Sequence, residues 1–545
     1  MQVDRFFAHH GVVENPFSAE EARLDPVFER LADELPAHPD FPKIMGKIDT
    51  PSTAVVFGEK GTGKTAIRLL MGMAIDRHNR DHPDKPVLAV AYDDLNPVLD
   101  RLVQSRRQDV GQMLQGLRLA DHQDAILSRA VSCVVDALLE DDAAGALPAG
   151  AKKKLRKAPK RRREDLLVLA ALYDEPRTGS APQRFARLRK ALRGGTLATM
   201  DNIKVKAIVN TVLALLAAGW YWVVKGGDGP IWAFPLTGLL ILGAVGAWGY
   251  WSWRWLSIWA KVRKATKDMP AVRREAAELR GMFGSLRPSA VSGQPLPEPS
   301  AAGAGLTDSR YQFTRKLTDL LAELGVAGMI VFIDRIDEPT AVQGDAERMK
   351  AVVWPMFDNK FLKQERIGLK LLLPIELGYA LRKEGPAFFQ EARLDKQNLV
   401  ERLAWSGATL YDLCNLRLKA CWTADAARNA KALEPRPVDE ADPNLDGAAA
   451  ASSGPAYAGA SGGGGPATLA DLFAPDVTRE TLIDALDQMH QPRDAFKFLY
   501  AVIQEHCKTV PDDRPLVRVP RLTLETVRRT QSQRVQDLYR GLSPA

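Results

Sequence analysis

The chain has 545 residues, of which 46% are hydrophobic and 26% charged, and a net charge of +7. That length predicts two or three folded units with ordinary globular cores. The four cysteines, Cys133, Cys414, Cys421 and Cys507, are scattered, which excludes a short-spaced zinc site and a disulfide framework and fits a reducing compartment.

Residues 1–50 are rich in Pro, Phe and acids. Met1 to His10 carries Asp4 and Arg5 and no apolar run, so no cleavable signal peptide is expected. Thr53 to Phe57 reads as a β-run. It meets Gly58-Glu59-Lys60-Gly61-Thr62-Gly63-Lys64-Thr65, and Thr65 to Ile75 continues with helical spacing. This is the GxxxxGK[ST] pattern in its strand–loop–helix context, the P-loop signature. Glycines let backbone N–H groups curl round phosphates, and the helix from Ala66 onward adds its positive N-terminal end. Lys64 is the candidate for the β- and γ-phosphates of ATP or GTP, and Thr65 for a hydroxyl on Mg²⁺.

Val87 to Tyr92 reads as a second parallel strand ending in Asp93-Asp94, and helical patterns fill roughly 95–140 and 164–195. Between them, Ala151 to Glu164 holds nine Lys and Arg residues; removing those nine charges from +7 leaves −2. The basic character is therefore a local block. It contains no aromatic residue, so base stacking is not supported. A solvated loop is the default reading, followed by attraction to anionic lipid and then by nucleic-acid phosphate contact.

Val205 to Val224 and Ile231 to Trp253 are apolar stretches of twenty and twenty-three residues, joined by Lys225 to Pro230. Each is long enough for the ~30 Å hydrocarbon core. Eight of the eleven tryptophans lie between Trp220 and Trp259, at both ends of this pair. Arg184, Arg187, Arg189, Lys190, Arg193, Lys204 and Lys206 precede it, and Arg254, Lys261, Arg263, Lys264 and Lys267 follow. The expectation is a two-helix transmembrane hairpin with both flanks cytoplasmic in a bacterial-type inner membrane. Apart from Lys206 at the edge of the first stretch no charge lies in either, which counts against an ion path, while Gly243 and Ala247 allow close helix packing.

Residues 284–306 and 432–469 are rich in Ala, Gly, Pro and Ser and read as linkers. A second α/β stretch lies between them. There, Gly328 to Ile333 is a strand followed by Asp334-Arg335-Ile336-Asp337-Glu338. Asp334, at the strand end, is the candidate metal ligand. Asp337 and Glu338 are candidates to orient or deprotonate an attacking water, with Glu338 preferred; the plainer reading has this cluster cap a helix. Leu369 to Pro374 is expected beside that strand. Glu376, Arg382, Arg393 and Arg402 are weaker candidates for sensor or finger.

The order Asp334-x-Ile336-Asp337-Glu338 resembles the D-G-h-D-E signature of the signal-transduction (STAND, NACHT-like) ATPases, with Arg335 in place of the usual small residue. A membrane hairpin between the two Walker motifs resembles the KAP family of the same class. Its D-D-h-D-R pattern differs here at Arg335 and Glu338. Asn15-Pro16-Phe17 is similar to the N-terminal segment that cradles adenine in AAA-type ATPases. Gln491-Pro492-Arg493-Asp494 looks like the start of their lid helix, and this likeness makes Arg493 a γ-phosphate sensor.

The resulting expectation is an α/β P-loop NTPase with a parallel sheet flanked by helices. Its segments are a Walker A half over 1–100, a helical insertion over 101–200, the hairpin over 201–260, a helix and linker over 261–306, a Walker B half over 307–430, a linker over 431–469 and a helical lid over 470–545. The resemblance implies a membrane-anchored ATPase, a nucleotide-dependent switch in an oligomeric signalling or defence assembly, with a second protein effector as a further partner. The alternatives are a nucleotide-gated membrane effector or pore, and a membrane-tethered nucleic-acid motor.

Overall fold

The computed structural model describes residues 1–18, 21–31, 38–139, 146–176, 179–192, 200–226, 235–292, 309–426, 468–511 and 516–539. The two expected linkers fall largely outside these residues, as do most of the segment joining the two apolar stretches, Trp232 and Arg193. The chain forms two compact units, each assembled from distant pieces of sequence. One comprises Pro42–Phe57 and Met71–Arg402; the other comprises Met1–Phe41, Gly58–Leu70 and Leu403–Ala545.

The first unit holds a five-stranded parallel sheet flanked by helices. In chain order its strands are β1 (Ala54–Gly58), β2 (Val87–Tyr92), β3 (Gly328–Ile333), β4 (Ile367–Pro374) and β5 (Asn398–Val400). They lie in the order β2-β3-β4-β1-β5. Residue pairs Tyr92 with Ile333, Ile333 with Leu371, and Val56 with Val400 set the register. β3 and β4 are buried along their whole length, as continuous apolar runs with helices on both faces require. The expected place of Leu369–Pro374 beside the strand that ends at Asp334 is met, and β4 lies between β3 and β1. One point differs from the sequence reading. β5 has no counterpart among the expected strands, because three residues are too few to show a period.

Helix α1 (Lys64–Asp81) follows β1 and returns the chain to β2; the Asn79 side chain fixes that return by bonding both the N–H and the C=O of Val87. Between β2 and β3 lies the helical insertion. It includes α2 (Leu119–Leu139), α3 (Ala151–Lys157), α4 (Lys160–Tyr173), α5 (Met200–Lys225), α6 (Pro235–Asp268) and α7 (Ser309–Leu324). Its polar centre is a buried ion pair between Asp124 on α2 and Arg310 on α7, 3.0 Å apart and joined by the Tyr173 hydroxyl from α4. An unpaired buried charge would be costly, so this triad ties three helices in one arrangement.

The basic block is helical, which corrects the expected loop. Ala151 and Leu155 are buried, so the block has an apolar side that a loop would leave unused. Several cations are also engaged: Arg156 donates to the Ala191 carbonyl at 2.6 Å, and Arg162 pairs with Glu323 at 3.0 Å. Lys153, Lys154, Lys157, Lys160 and Arg161 remain exposed.

Among the described residues one helix is long and apolar enough to cross a membrane, over Met200–Trp220 within α5. Its aliphatic side chains face outward, with Leu215 and Leu216 about two-thirds exposed at 67% and 65%. The second expected span begins outside the described residues, and its described part from Pro235 on, where Gly, Ser, Tyr and Trp dilute the aliphatic residues, does not meet the same standard. The two helices pack together, and the Trp248 indole donates to the Thr211 hydroxyl at 3.0 Å.

The second unit has its own core, built from Phe6, Phe7, Phe17, Leu410, Leu482, Phe498 and their neighbours. Its helices include α10 (Gly407–Cys421), α11 (Arg479–Asp487), α12 (Pro492–Thr509) and α13 (Arg521–Tyr539), in line with the helical C-terminal region read from sequence. The four cysteines are all free.

Two buried groups of α2 respond to pH in opposite senses. His122 accepts the Tyr92 hydroxyl at 2.9 Å, and burial lowers its pKa to about 4, so it folds neutral. The unfolded chain then binds the extra proton between pH 6.5 and 4, and stability falls as pH drops through that window, by roughly 3 kcal/mol at full extent. Asp124, raised by burial to about 6, takes its proton earlier in the folded state and opposes the trend. His122→Gln is therefore expected to lose less stability than wild type between pH 7 and pH 4.5 in denaturant unfolding. Equal losses would refute the assignment.

Candidate functional site

The glycine-rich segment belongs to the second unit and is shaped first by its own backbone. The N–H and hydroxyl of Thr62 both donate to the Glu59 carbonyl, at 3.3 and 2.8 Å, closing a four-residue turn over Lys60 and Gly61. Gly61 sits at φ +97°, and a Cβ there would stand 2.5 Å from the Gln491 side-chain oxygen. Only glycine meets both demands. Gly63 is also left-handed, at φ +86°, and its carbonyl accepts the Ile67 N–H at 2.9 Å, the first helical bond across Lys64, Thr65 and Ala66. Lys64 curls back so that its ammonium donates to the carbonyls of Gly58 and Glu59, at 2.8 and 2.9 Å.

Three residues from the C-terminal part of the chain meet this loop. The Trp405 indole donates to the Thr62 carbonyl at 2.9 Å, and the Gln491 amide donates to the Glu59 carboxylate at 3.3 Å. Arg493, in the first turn of α12, has its Cβ and Cδ 3.4 Å from the position a Gly61 Cβ would take. The expected Arg493 is thus brought to the loop, whereas Trp405 and the Gln491 contact escape sequence reasoning. Neither has a motif; the only sequence signal for Gln491 is its place two residues before Arg493.

Asn15 and Phe17 lie in the same unit, but Phe17 has a different use from the one expected. Asn15 accepts the Phe17 N–H at 2.9 Å, and Phe17 is 3% exposed, its ring 6.1 Å from that of Phe496. Buried Arg417 holds the segment by donating to the Pro16 carbonyl at 2.6 Å and pairing with Asp25. The Phe17 ring serves the core of this unit.

The acidic cluster belongs to the first unit. Asp334 follows β3 directly and is 1% exposed. The pairing of Tyr92 with Ile333 brings Asp93 and Asp334 out at the same edge of the sheet. Arg335 sits at φ +60°, the left-handed region, and pairs with Glu338. That hydrogen bond, followed by the charges of Asp334 and Asp93, raises the Arg335 pKa against the effect of burial. Asp337 is half-buried, its carbonyl accepting the Gly344 N–H at 2.9 Å, and Glu338 is 48% exposed at its side chain. Neither carboxylate caps a helix: α8 (Ala346–Val353) begins later, capped by Asp345. Glu376 is exposed in the first turn of α9 (Ile375–Leu381), Arg382 pairs with Glu401, and Arg393 pairs with Asp395.

The loop therefore offers backbone amides at a helix start, an ammonium and a hydroxyl, which suits an anionic phosphate chain. Among the described residues no group of three or more His, Cys, Asp or Glu could hold a metal alone. A Mg²⁺ ion held by the loop would have to bring phosphate oxygens to supplement the Thr65 hydroxyl, and hard oxygen donors of this kind fit that ion. Comparison of the chain with protein-family models, curated proteins and solved structures finds no match in any of the three.

Arg335 has a backbone angle that favours glycine, φ +60°. A side chain in this region costs roughly 1 kcal/mol or more relative to glycine, and the partly exposed pair with Glu338 returns at most about 1 kcal/mol. Arg335→Gly is expected to leave the unfolding midpoint near wild type. Arg335→Ala, with the strain kept and the pair lost, should be about 1 kcal/mol less stable than the glycine variant. Equal stability of the two variants would contradict this.

Proposed function

We propose that the chain is a membrane-attached nucleoside triphosphatase whose nucleotide state switches an oligomeric assembly. The observation that carries this reading is the loop itself: Gly61 and Gly63 left-handed, Lys64 turned over the loop carbonyls, and an 18-residue helix starting there, directly after a strand of a parallel sheet. In such sheets ligands bind beyond the carboxyl ends of the strands. ATP is the expected nucleotide, and GTP meets the same phosphate chemistry.

In this reading backbone N–H groups of the loop other than that of Thr62, which closes the turn on Glu59, hold the phosphates, and Lys64 swings from its carbonyls to the β- and γ-phosphates. Bound Mg²⁺ would neutralise developing charge on the phosphates, and Thr65 is the residue of the loop to hold it. Glu338 orients and deprotonates the attacking water once it leaves Arg335, and Asp337 is the second choice. Arg493 reads the γ-phosphate from the start of α12. Hydrolysis would alter the contacts of α12 with the loop, and so supply a switch.

The exposed aliphatic surface of α5 supports attachment to a bilayer, with α6 alongside it and the basic flanks on the cytoplasmic side. Arg156, Lys160 and Arg162 of the basic helices are engaged within the fold, which leaves fewer cations for any phosphate, of lipid or of nucleic acid.

Detergent-solubilised wild type should hydrolyse ATP. Lys64→Ala should abolish binding, and Glu338→Gln should retain binding while slowing turnover about 10²–10⁴-fold. Wild type that neither binds nor hydrolyses any nucleotide ends this reading, and normal turnover by Glu338→Gln moves the base to Asp337. In sealed inner-membrane vesicles, the segment after Lys225 should be protected from protease on the cytoplasmic side; cleavage there would overturn the topology.

A further inference from the structure

We infer that Trp405 is a positioning residue for phosphate binding: its indole N–H sets the orientation of the Thr62–Gly63 peptide and thereby aims the Gly63 N–H at the nucleotide. The inference rests on the nucleotide-binding reading of the loop and deepens it. Peptide geometry supplies the first constraint. No peptide bond in the described residues is cis, so the C=O of Thr62 and the N–H of Gly63 point in opposite directions across one plane. Gly63 at φ +86° has the conformational freedom to let that plane turn over. A bond to the Thr62 carbonyl removes that freedom, and the Trp405 indole supplies it at 2.9 Å.

The indole is itself held. His38 is 2% exposed and meets the Trp405 ring edge-on, with centroids 4.7 Å apart and planes at 79°. Its Nδ1 accepts the Asp40 N–H at 3.1 Å, so Nε2 carries the proton and donates to the Ala404 carbonyl, also at 3.1 Å. Burial lowers the His38 pKa, which keeps this neutral tautomer in place at neutral pH. Thus His38 fixes the backbone and the ring of residues 404–405, Trp405 fixes the Thr62 carbonyl, and the turn from Glu59 to Thr62 fixes the remainder. Trp405 acts through the loop and touches no reacting atom, which separates it from Lys64.

The test is Trp405→Phe in the full-length, detergent-solubilised protein, since phenylalanine keeps a ring against His38 and removes only the N–H donor. Binding of ATP with Mg²⁺ should weaken about five- to tenfold, as expected for one net hydrogen bond. KM should rise by a similar factor, with kcat changed much less and the nucleotide-free melting temperature unchanged. Amide hydrogen exchange over 58–65 should quicken in the variant. His38→Ala, which leaves the indole intact but unsupported, should weaken binding by a smaller factor. Wild-type affinity and exchange in Trp405→Phe would overturn the inference while leaving the loop reading in place, provided that wild type binds and Lys64→Ala does not. If wild type binds no nucleotide, both fall together.

Discussion

A single buried ammonium sets the position of the strand that leads into the glycine-rich loop. Lys370 lies on β4, fully buried, and its Nζ donates to the carbonyls of Ile44, Met45 and Ser52 at 2.7–2.9 Å. An ammonium has three donors and no acceptor, and burying it unbonded would be expensive. Three carbonyls satisfy it, and burial lowers its pKa only to about 8, so it stays mostly charged at neutral pH. The segment just before β1 is thereby lashed to β4. Gly368 permits the closeness, since a Cβ there would lie 2.7 Å from the Ser52 carbonyl. Thr53 completes the seam by donating to the Leu362 carbonyl and accepting the Leu369 N–H. With β1 fixed beside β4, the chain leaves the sheet at Gly58 in a defined direction.

Beyond Gly58 the loop is shaped by another set of bonds. The turn from Glu59 to Thr62 is local, but its surroundings come from residues hundreds of positions away: Trp405, Gln491 and Arg493. The same unit anchors its N-terminal segment through Arg417 and Asp25. A loop with two left-handed glycines has many conformations open to it, and these distant partners reduce the choice.

The long insertion between β2 and β3 is compatible with the sheet because a parallel pair needs only a crossover helix between its strands. Helix α7 ends just before β3, and Arg310 in its first turn is the cation of the Asp124 triad. The insertion is therefore linked to the sheet's own crossover element by a buried charge pair. The insertion also carries outward apolar surface on both α5 and α6, where Leu215, Leu216, Leu239 and Leu242 are exposed.

Much is legible in the sequence because it depends on local spacing. The β-runs read at 53–57, 87–92, 328–333 and 369–374, the glycine pattern, the acidic strand end and the apolar stretch of α5 are all readable from near neighbours. Arg335 shows the limit, since the sequence marks a departure from a small residue and only the structure shows its backbone angle of +60°. The placement of β4 between β1 and β3, the pairing of a three-residue β5, the use of Phe17 in a core and the Trp405 bond to Thr62 all emerge only on folding. Each is a contact between residues far apart in the chain, and local periodicity carries no information about which distant partner will satisfy a buried carbonyl or ring. Near-neighbour pattern is thus enough to specify which segments form strands, loop and apolar helix. The packing of distant side chains settles where those segments lie and which way the loop's peptides face.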